Sequence, residues 1–439
     1  MKTKLTNKEK VLTSFMLFSL FFGAGNLIFP PFLGQNAGSA TFPALLGFLT
    51  TGVILPILGV IVVAKFVGID YLSAKVGNKF KIIFTMVIYL SIGPGLGIPR
   101  AASVPFEMAI APYLPENFNL TLGMVLYSLI FFSVALWLAF TPSKLVKRVG
   151  TVLTPLLLIL IVFLYVSFLV FGPKTVVPPS SDYKSLTFLK GFCEGYNTMD
   201  AIAALNFGLV IATTVKSFGI KEEKSVIKTI SILGIFAGSV LALVYIMLTT
   251  MGTFSSGIYP VGTNGAVLLR EIVKELYGEA GAIVIAAIFT LACLTTCVGL
   301  ITSISQFFSN MTPKFEYKKW VVVISVGAFL ICNLGLNMIL KVSVPILNCI
   351  YPASIVLIVL GLFEKYYKNN KFIFPITILG TLAISIIIEV VKLFNPNLLS
   401  FLPLYSIGFS WIFVTLICLV ASIALYCFVK KRGENNSIN

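Results

Sequence analysis

Phe21-Phe22-Gly23-Ala24-Gly25-Asn26-Leu27-Ile28-Phe29-Pro30-Pro31 is the stretch on which the fold of this chain turns. It lies inside an apolar run over 11–33, and a helix needs about 20 apolar residues to cross the hydrocarbon of a bilayer. Two glycines and an asparagine fall near the middle of that run, and glycine costs about 1 kcal/mol relative to alanine in a helix interior. Pro30 and Pro31 follow, and two adjacent prolines cannot both keep a regular hydrogen-bond ladder. The span is therefore expected to be broken. At membrane depth an unwound backbone survives only where protein or a wet cavity satisfies its amides and carbonyls. Such groups can hold a carboxylate and a cation. Close packing of small residues would account for the glycines, but it needs neither Asn26 nor the paired prolines.

Composition places this break in a membrane protein. Of 439 residues, 58% are hydrophobic and 11% charged, against about 25% charged in a soluble domain. The chain reads as all-α and polytopic, one transmembrane domain over 1–439 with twelve spans. They cover 11–33, 41–64, 82–108, 120–140, 149–171, 189–215, 226–252, 280–310, 320–334, 341–363, 372–391 and 402–429. With the N-terminus taken as cytoplasmic, 24 of the 32 basic residues fall in segments on its side and 7 on the other. That asymmetry predicts both termini on the cytoplasmic face of the cell membrane. It also explains the net charge of +16 without nucleic acid, because the cations lie between apolar runs rather than on one patch.

Several other classes drop out. The seven cysteines form no C-x-x-C pair and there is no histidine, so a disulfide framework, a zinc site and histidine acid–base chemistry are not indicated. No G-x-x-x-x-G-K-[ST] motif occurs. The first apolar run is longer than the roughly 7–15 residues of a signal h-region and is expected to remain in the mature chain. Residues 265–277 alternate as an amphipathic helix and should lie on the outer face.

A second interruption occupies the sixth span, at Gly191-Phe192-Cys193-Glu194-Gly195-Tyr196-Asn197-Thr198-Met199-Asp200-Ala201. Acids inside spans usually mark ion or substrate paths. Glu194 at a solvated interface and Asp200 at a helix start are the structural readings. Five spans separate the two breaks, so the segments they begin run in opposite directions, as an inverted pair of five-span repeats requires.

The third span carries Tyr89 and then Leu90-Ser91-Ile92-Gly93-Pro94-Gly95-Leu96-Gly97-Ile98-Pro99-Arg100-Ala101-Ala102-Ser103, whose glycines and prolines predict an irregular helix lining a cavity. Tyr89 either reaches a substrate carboxylate or belongs to an interface belt. Arg100, the one arginine within a span, either gates the outer path through Glu107 or Glu194 or anchors an acid structurally. In the eighth span Thr295, Thr296, Thr302 and Ser303 recur at seven-residue spacing, each pair on one face. Facing an unwound carbonyl cluster, such hydroxyls would cage a hard cation; alternatively they bond their own helix. Glu389 and Lys392 read as a local pair.

The segments 23–31 and 90–103 resemble those of the bacterial branched-chain amino acid:cation symporters, and the likeness extends over essentially the whole chain. That family is placed in the amino acid–polyamine–organocation superfamily. The resemblance implies a five-plus-five inverted repeat, about 11–171 and 189–363, with peripheral helices over 372–429. It implies that the amides of Ala24 and Gly25 bind the substrate carboxylate and that Asn26 helps hold a cation. Carbonyls near Ser19 and Phe22 would face an ion site completed by Thr302, although Ile301 stands where that comparison expects a hydroxyl.

The expected function is secondary symport of leucine, isoleucine or valine with Na+ or H+, with no cofactor and no enzymatic step. Gly195, Tyr196, Asn197 and Thr198 join Ala24, Gly25, Asn26 and Tyr89 as substrate residues. Ser19, Phe22, Asn26, Asp200, Thr302 and Ser303 form the ion set; Arg100 and Glu194 are the gate. A hydrophobic pocket separates side chains by only about 1–3 kcal/mol per methylene, so overlapping specificity is expected. A permease for another neutral solute and, further off, an ion channel are the alternatives. The bilayer is the one other partner indicated, and nothing in the sequence specifies an assembly.

Overall fold

The computed structural model describes residues 4–144, 146–260, 264–367 and 370–436. Those residues are helical with no strand. Nine helices are long and apolar enough to cross a membrane, or eleven when two bent pairs each count as one span. The twelfth crossing is hidden in the continuous segment Ala24–Lys65, 42 residues long. Unbroken, it would extend about 63 Å, twice the hydrocarbon thickness. It turns back at Gly38, whose φ of +49° opens a short 3-10 turn. The reversal is visible in the seventh span, Glu223–Phe254, where Tyr245 touches both Asn26 and Phe48. In a straight helix those two residues would lie about 33 Å apart.

The first span is thus two helices. Asn7–Phe21 opens on a capping box between Thr6 and Glu9, which satisfies orphan amides at its start. Ala24–Ala37 follows the break and carries Pro30 and Pro31 within it. The sixth span is likewise split into Thr187–Asn197 and Asp200–Ser217, bent by 46°. In the third span the helix widens over Ser91–Gly95 and resumes at Gly97–Pro105. The tenth begins at Leu336 rather than 341, directly after Gly335 with φ +85°, and Lys341 is exposed within it. The amphipathic segment is a helix over Gly265–Tyr277 capped by Asn264. Its apolar face buries Leu268, Leu269, Ile272 and Val273, while Lys274 and Glu275 on the other face stay exposed.

Each broken span packs against the second span of the other half. The helix after the first break crosses the seventh span through Gly34 and Gly252. A methyl added at Gly34 would fall 2.0 Å from the Thr249 carbonyl oxygen, and one at Gly252 would fall 2.0 Å from that of Pro31. The helix before the second break crosses the second span through Gly191 and Gly47 in the same reciprocal way, 1.8 Å from Ala44 O and 2.0 Å from Phe188 O. Such approaches exclude any side chain and bring backbones into direct contact. They fix both breaks at the centre of the bundle.

Candidate functional site

At the first break Phe22 and Gly23 are extended and the helix restarts at Ala24. The Gly23 amide donates to Asn26 Oδ1 at 2.9 Å, so the asparagine side chain caps the helix it belongs to. At the second break Met199 adopts φ +68° and Asp200 opens the next helix. A side chain bonds across the two: Asn26 Nδ2 donates to Asp200 Oδ2 at 2.6 Å. Tyr245 Oη donates to the same oxygen at 3.1 Å and also contacts Asn26 Nδ2. All three residues are buried. A carboxylate removed from water is tolerable only when hydrogen-bonded or paired, and the positive end of its own helix adds to these donors.

Beside this cluster lies a cavity of about 80 Å³. Both breaks line it, through Gly23, Ala24, Gly25 and Asn26 on one side and Thr198, Met199 and Asp200 on the other. Its remaining wall is largely apolar, with Leu20, Phe21, Ile92, Leu96, Leu300 and Leu347, and includes Thr296 of the eighth span. Arg100 is the one cationic side chain that reaches it. Toward the face opposite the N-terminus a wider cavity of about 500 Å³ opens, and Arg100, Met199 and Leu347 line both spaces. On the N-terminal face, Glu364 binds Lys75 at 3.0 Å and Lys65 at 3.4 Å, tying the tenth span to the second and to the loop helix beyond it.

The eighth-span hydroxyl that meets the first break is Thr296. Its Oγ1 donates to the Ser19 carbonyl at 3.1 Å and stands 3.1 Å from where a Gly23 side chain would begin. Thr302 and Ser303, two turns further along, do not reach the break. Ser303 Oγ donates to the Asn206 carbonyl of the sixth span, and Thr302 is buried with no hydrogen bond to the break among the described residues. The oxygen set at the first break therefore uses the other member of the seven-residue repeat.

Other expected residues are also redistributed. Ala24, Gly25, Asn26, Thr198 and Asp200 converge on the central cavity. Tyr196 and Asn197 line the wider one. Tyr89 does not reach the central cavity; its ring stacks on Phe307 at 4.2 Å. Gly195 lies in the seam with the second span, where a methyl would fall 2.4 Å from Phe48 O and from Thr51 Oγ1. Arg100 pairs with neither proposed gate partner. Glu107 Oε1 accepts the Leu336 amide at 2.9 Å, and Glu194 Oε1 accepts from Tyr183 Oη at 3.5 Å. Glu389 and Lys392 do pair, at 2.8 Å. Sequence reasoning missed Tyr245, Met199 and Leu347; none carries a local signal, since a tyrosine, a methionine or a leucine within a span ordinarily packs in the core.

Comparison with known proteins bears on the fold and on the family. The chain superimposes on the nucleobase-cation-symport-1 family transporter Mhp1, in a closed conformation with bromovinylhydantoin bound, with a TM-score of 0.60 at 14% identity, covering 96% of this chain and 93% of that one. It superimposes on MhsT in complex with L-phenylalanine with a TM-score of 0.50 at 16% identity, covering 94% and 97%. These likenesses concern the fold alone. In sequence it is 40% identical to the branched-chain amino acid permease BraB of Bacillus subtilis over the full length of both chains. It is 38% identical to the branched-chain amino acid transport system 2 carrier protein of Pseudomonas aeruginosa, over 98% of this chain and 99% of that one. The model of the family described as branched-chain amino acid transport protein matches residues 6–429. With two broken spans meeting at a small cavity and relatives that are permeases and carriers rather than enzymes, this chain belongs to the branched-chain amino acid transport protein family.

Proposed function

We propose that the protein is a secondary symporter that imports leucine, isoleucine or valine together with Na+. The observation that carries this reading is the convergence of both helix breaks on one cavity whose remaining wall, apart from Arg100 and Thr296, is apolar. The substrate carboxylate lies toward the amides of Ala24 and Gly25, and the branched side chain toward Ile92, Leu96, Leu300 and Leu347. The cation lies at the first break, where the Ser19 carbonyl and the Thr296 hydroxyl supply the neutral oxygens a hard cation prefers. A proton carried by Asp200 is the second reading, favoured by the burial of that carboxylate in the cluster joining the breaks.

The N-terminal face is assigned to the cytoplasm on the 24-to-7 division of basic residues. Spans one to five and six to ten are assigned as inverted repeats, which the exchanged packing of each broken span on the other half's second span supports. The wider cavity then opens outward and the Lys65–Glu364–Lys75 tie lies inside.

Labelled-leucine uptake into proteoliposomes, with sodium and pH gradients imposed separately, tests the reading. A sodium gradient is expected to drive accumulation above equilibrium. Accumulation on a pH gradient alone would move the coupling to Asp200, and no leucine uptake under either gradient would defeat the proposal. Thr296→Val should raise the sodium concentration for half-maximal uptake about tenfold, the worth of one oxygen contact of roughly 1.5 kcal/mol. An unchanged sodium dependence would take Thr296 out of the ion site.

A further inference from the structure

Arg100 has a geometry that the gating role does not use. It is half-buried where the central and outer cavities meet, and its hydrogen bond runs from Nη1 to the Met199 sulfur at 3.7 Å. Among the described residues no carboxylate lies within ion-pair distance of it. A thioether is a weak acceptor, and a charge within a span that is not paired is expensive. The acids nearest in expectation are committed elsewhere, Glu107 to the Leu336 amide and Glu194 to Tyr183. At the same time Arg100 presses on the first break: a methyl added at Gly25 would lie 3.0 Å from its Nη2 and 3.4 Å from Thr198 Cα. The absence of a side chain at Gly25 is what lets the guanidinium stand against the start of the helix.

Asp200 faces the same cavity from the other break. Its bonds from Asn26 and from Tyr245 both fall on Oδ2. One small chamber thus holds a guanidinium from the third span and a carboxyl group from the sixth. A molecule whose own charges are opposite, adjacent and attached to an aliphatic tail matches that arrangement.

We propose that Arg100 and Asp200 form a two-point clamp for the zwitterion of an α-amino acid, the guanidinium that stands against Gly25 joining the Ala24 and Gly25 amides on the carboxylate and Asp200 Oδ1 taking the ammonium. The clamp rests on the reading of the central cavity as the amino-acid site, and it adds the residues that distinguish an amino acid from an amine or a fatty acid of the same shape. Arginine suits the carboxylate because its planar fork can donate two parallel bonds. A site built to pair a charged group rejects an analogue lacking it far more strongly than an apolar wall rejects a missing methylene, because its own charge is then left unpaired. Arg100 lines both cavities with Met199 and Leu347, so a substrate arriving from outside meets the guanidinium first.

The test is equilibrium binding to the purified full chain, with leucine, leucinol (no carboxylate) and 4-methylpentanoate (no ammonium) as competitors. The wild type is expected to favour leucine over leucinol by at least about 100-fold, the discrimination available to a desolvated charge pair. Arg100→Gln is expected to reduce that ratio below about fivefold, and Arg100→Lys to restore part of it. Asp200→Glu and Asp200→Asn should erode the preference for leucine over 4-methylpentanoate in the same graded order. A merely structural role would weaken all three ligands alike, and a leucine-to-leucinol ratio left near the wild-type value in Arg100→Gln would overturn the clamp. Failure of the wild type itself to bind leucine would instead defeat the reading of the cavity, before any variant is compared.

Discussion

Leucine uptake by Asn26→Leu is expected to fall at least about 100-fold at matched protein yield, below what reconstituted vesicles resolve from leak. The substitution is close in volume and keeps the apolar environment of the core, so its effect comes from the bonds removed. Asn26 Oδ1 accepts the Gly23 amide at 2.9 Å and Nδ2 donates to Asp200 Oδ2 at 2.6 Å. The first bond holds the break in shape; the second is one of two that keep a buried carboxylate satisfied. A buried donor left without an acceptor costs about 1–3 kcal/mol, and a bond to a charged group about 1.5–3 kcal/mol. The lower end of the combined range already corresponds to roughly a hundredfold. Initial rates in proteoliposomes, normalised to inserted protein, give the measurement. Uptake within threefold of wild type would show that the bridge between the breaks is not needed for transport.

Gly191→Val is expected to prevent stable folding rather than to slow transport. Its Cβ would lie 1.8 Å from the Ala44 carbonyl oxygen and 2.9 Å from Ala44 Cα, both backbone atoms that no rotamer change can move. The two helices must separate, and the contact surface on either side of the crossing goes with them. Overpacking a core by ordinary side-chain strain costs about 1–3 kcal/mol, and a clash with backbone exceeds that range. Loss of the monodisperse peak in detergent, or a large fall in thermal midpoint, is the readout. Gly327→Val is the matched control, because nothing lies within 4 Å of its added Cβ. Equal midpoints for the two variants would remove the crossing from the account of stability.

Much of the architecture could be read before any coordinates. Crossings announce themselves because a helix in lipid needs a long apolar run and basic residues gather at one side. The first break is legible for a related reason, since Gly23 is a poor helix former placed where a helix is otherwise compulsory, although Gly25, Pro30 and Pro31 are carried inside the helix that follows. Partners across the bundle are another matter. Tyr245 lies 219 positions from Asn26, and no local pattern links a tyrosine in one span to an asparagine in another. The eighth span shows a subtler limit. Its hydroxyl pairs repeat every seven residues, so Thr295–Thr296 and Thr302–Ser303 share a face and differ only in depth. Depth is a tertiary quantity, and Ile301 in place of an expected hydroxyl is the one local sign that sets Thr302–Ser303 apart from the pair that meets the first break. Tyr89 and Gly195 misled by proximity to chemically suggestive neighbours; one stacks on Phe307 and the other is a seam residue.

The glycine crossings carry a mechanical consequence. Where one backbone rests on another there is no layer of rotatable side chains to act as lubricant, so the joined helices shift as one solid piece. Gly34 with Gly252 welds the first span to the seventh, and Gly47 with Gly191 welds the second to the sixth. Where the eighth span meets the first and the third, leucine and isoleucine side chains intervene instead, Leu20 over Gly299 and Ile304 over Gly93. Slip can occur along those greased surfaces, and the cavity with its charged ends lies directly on them.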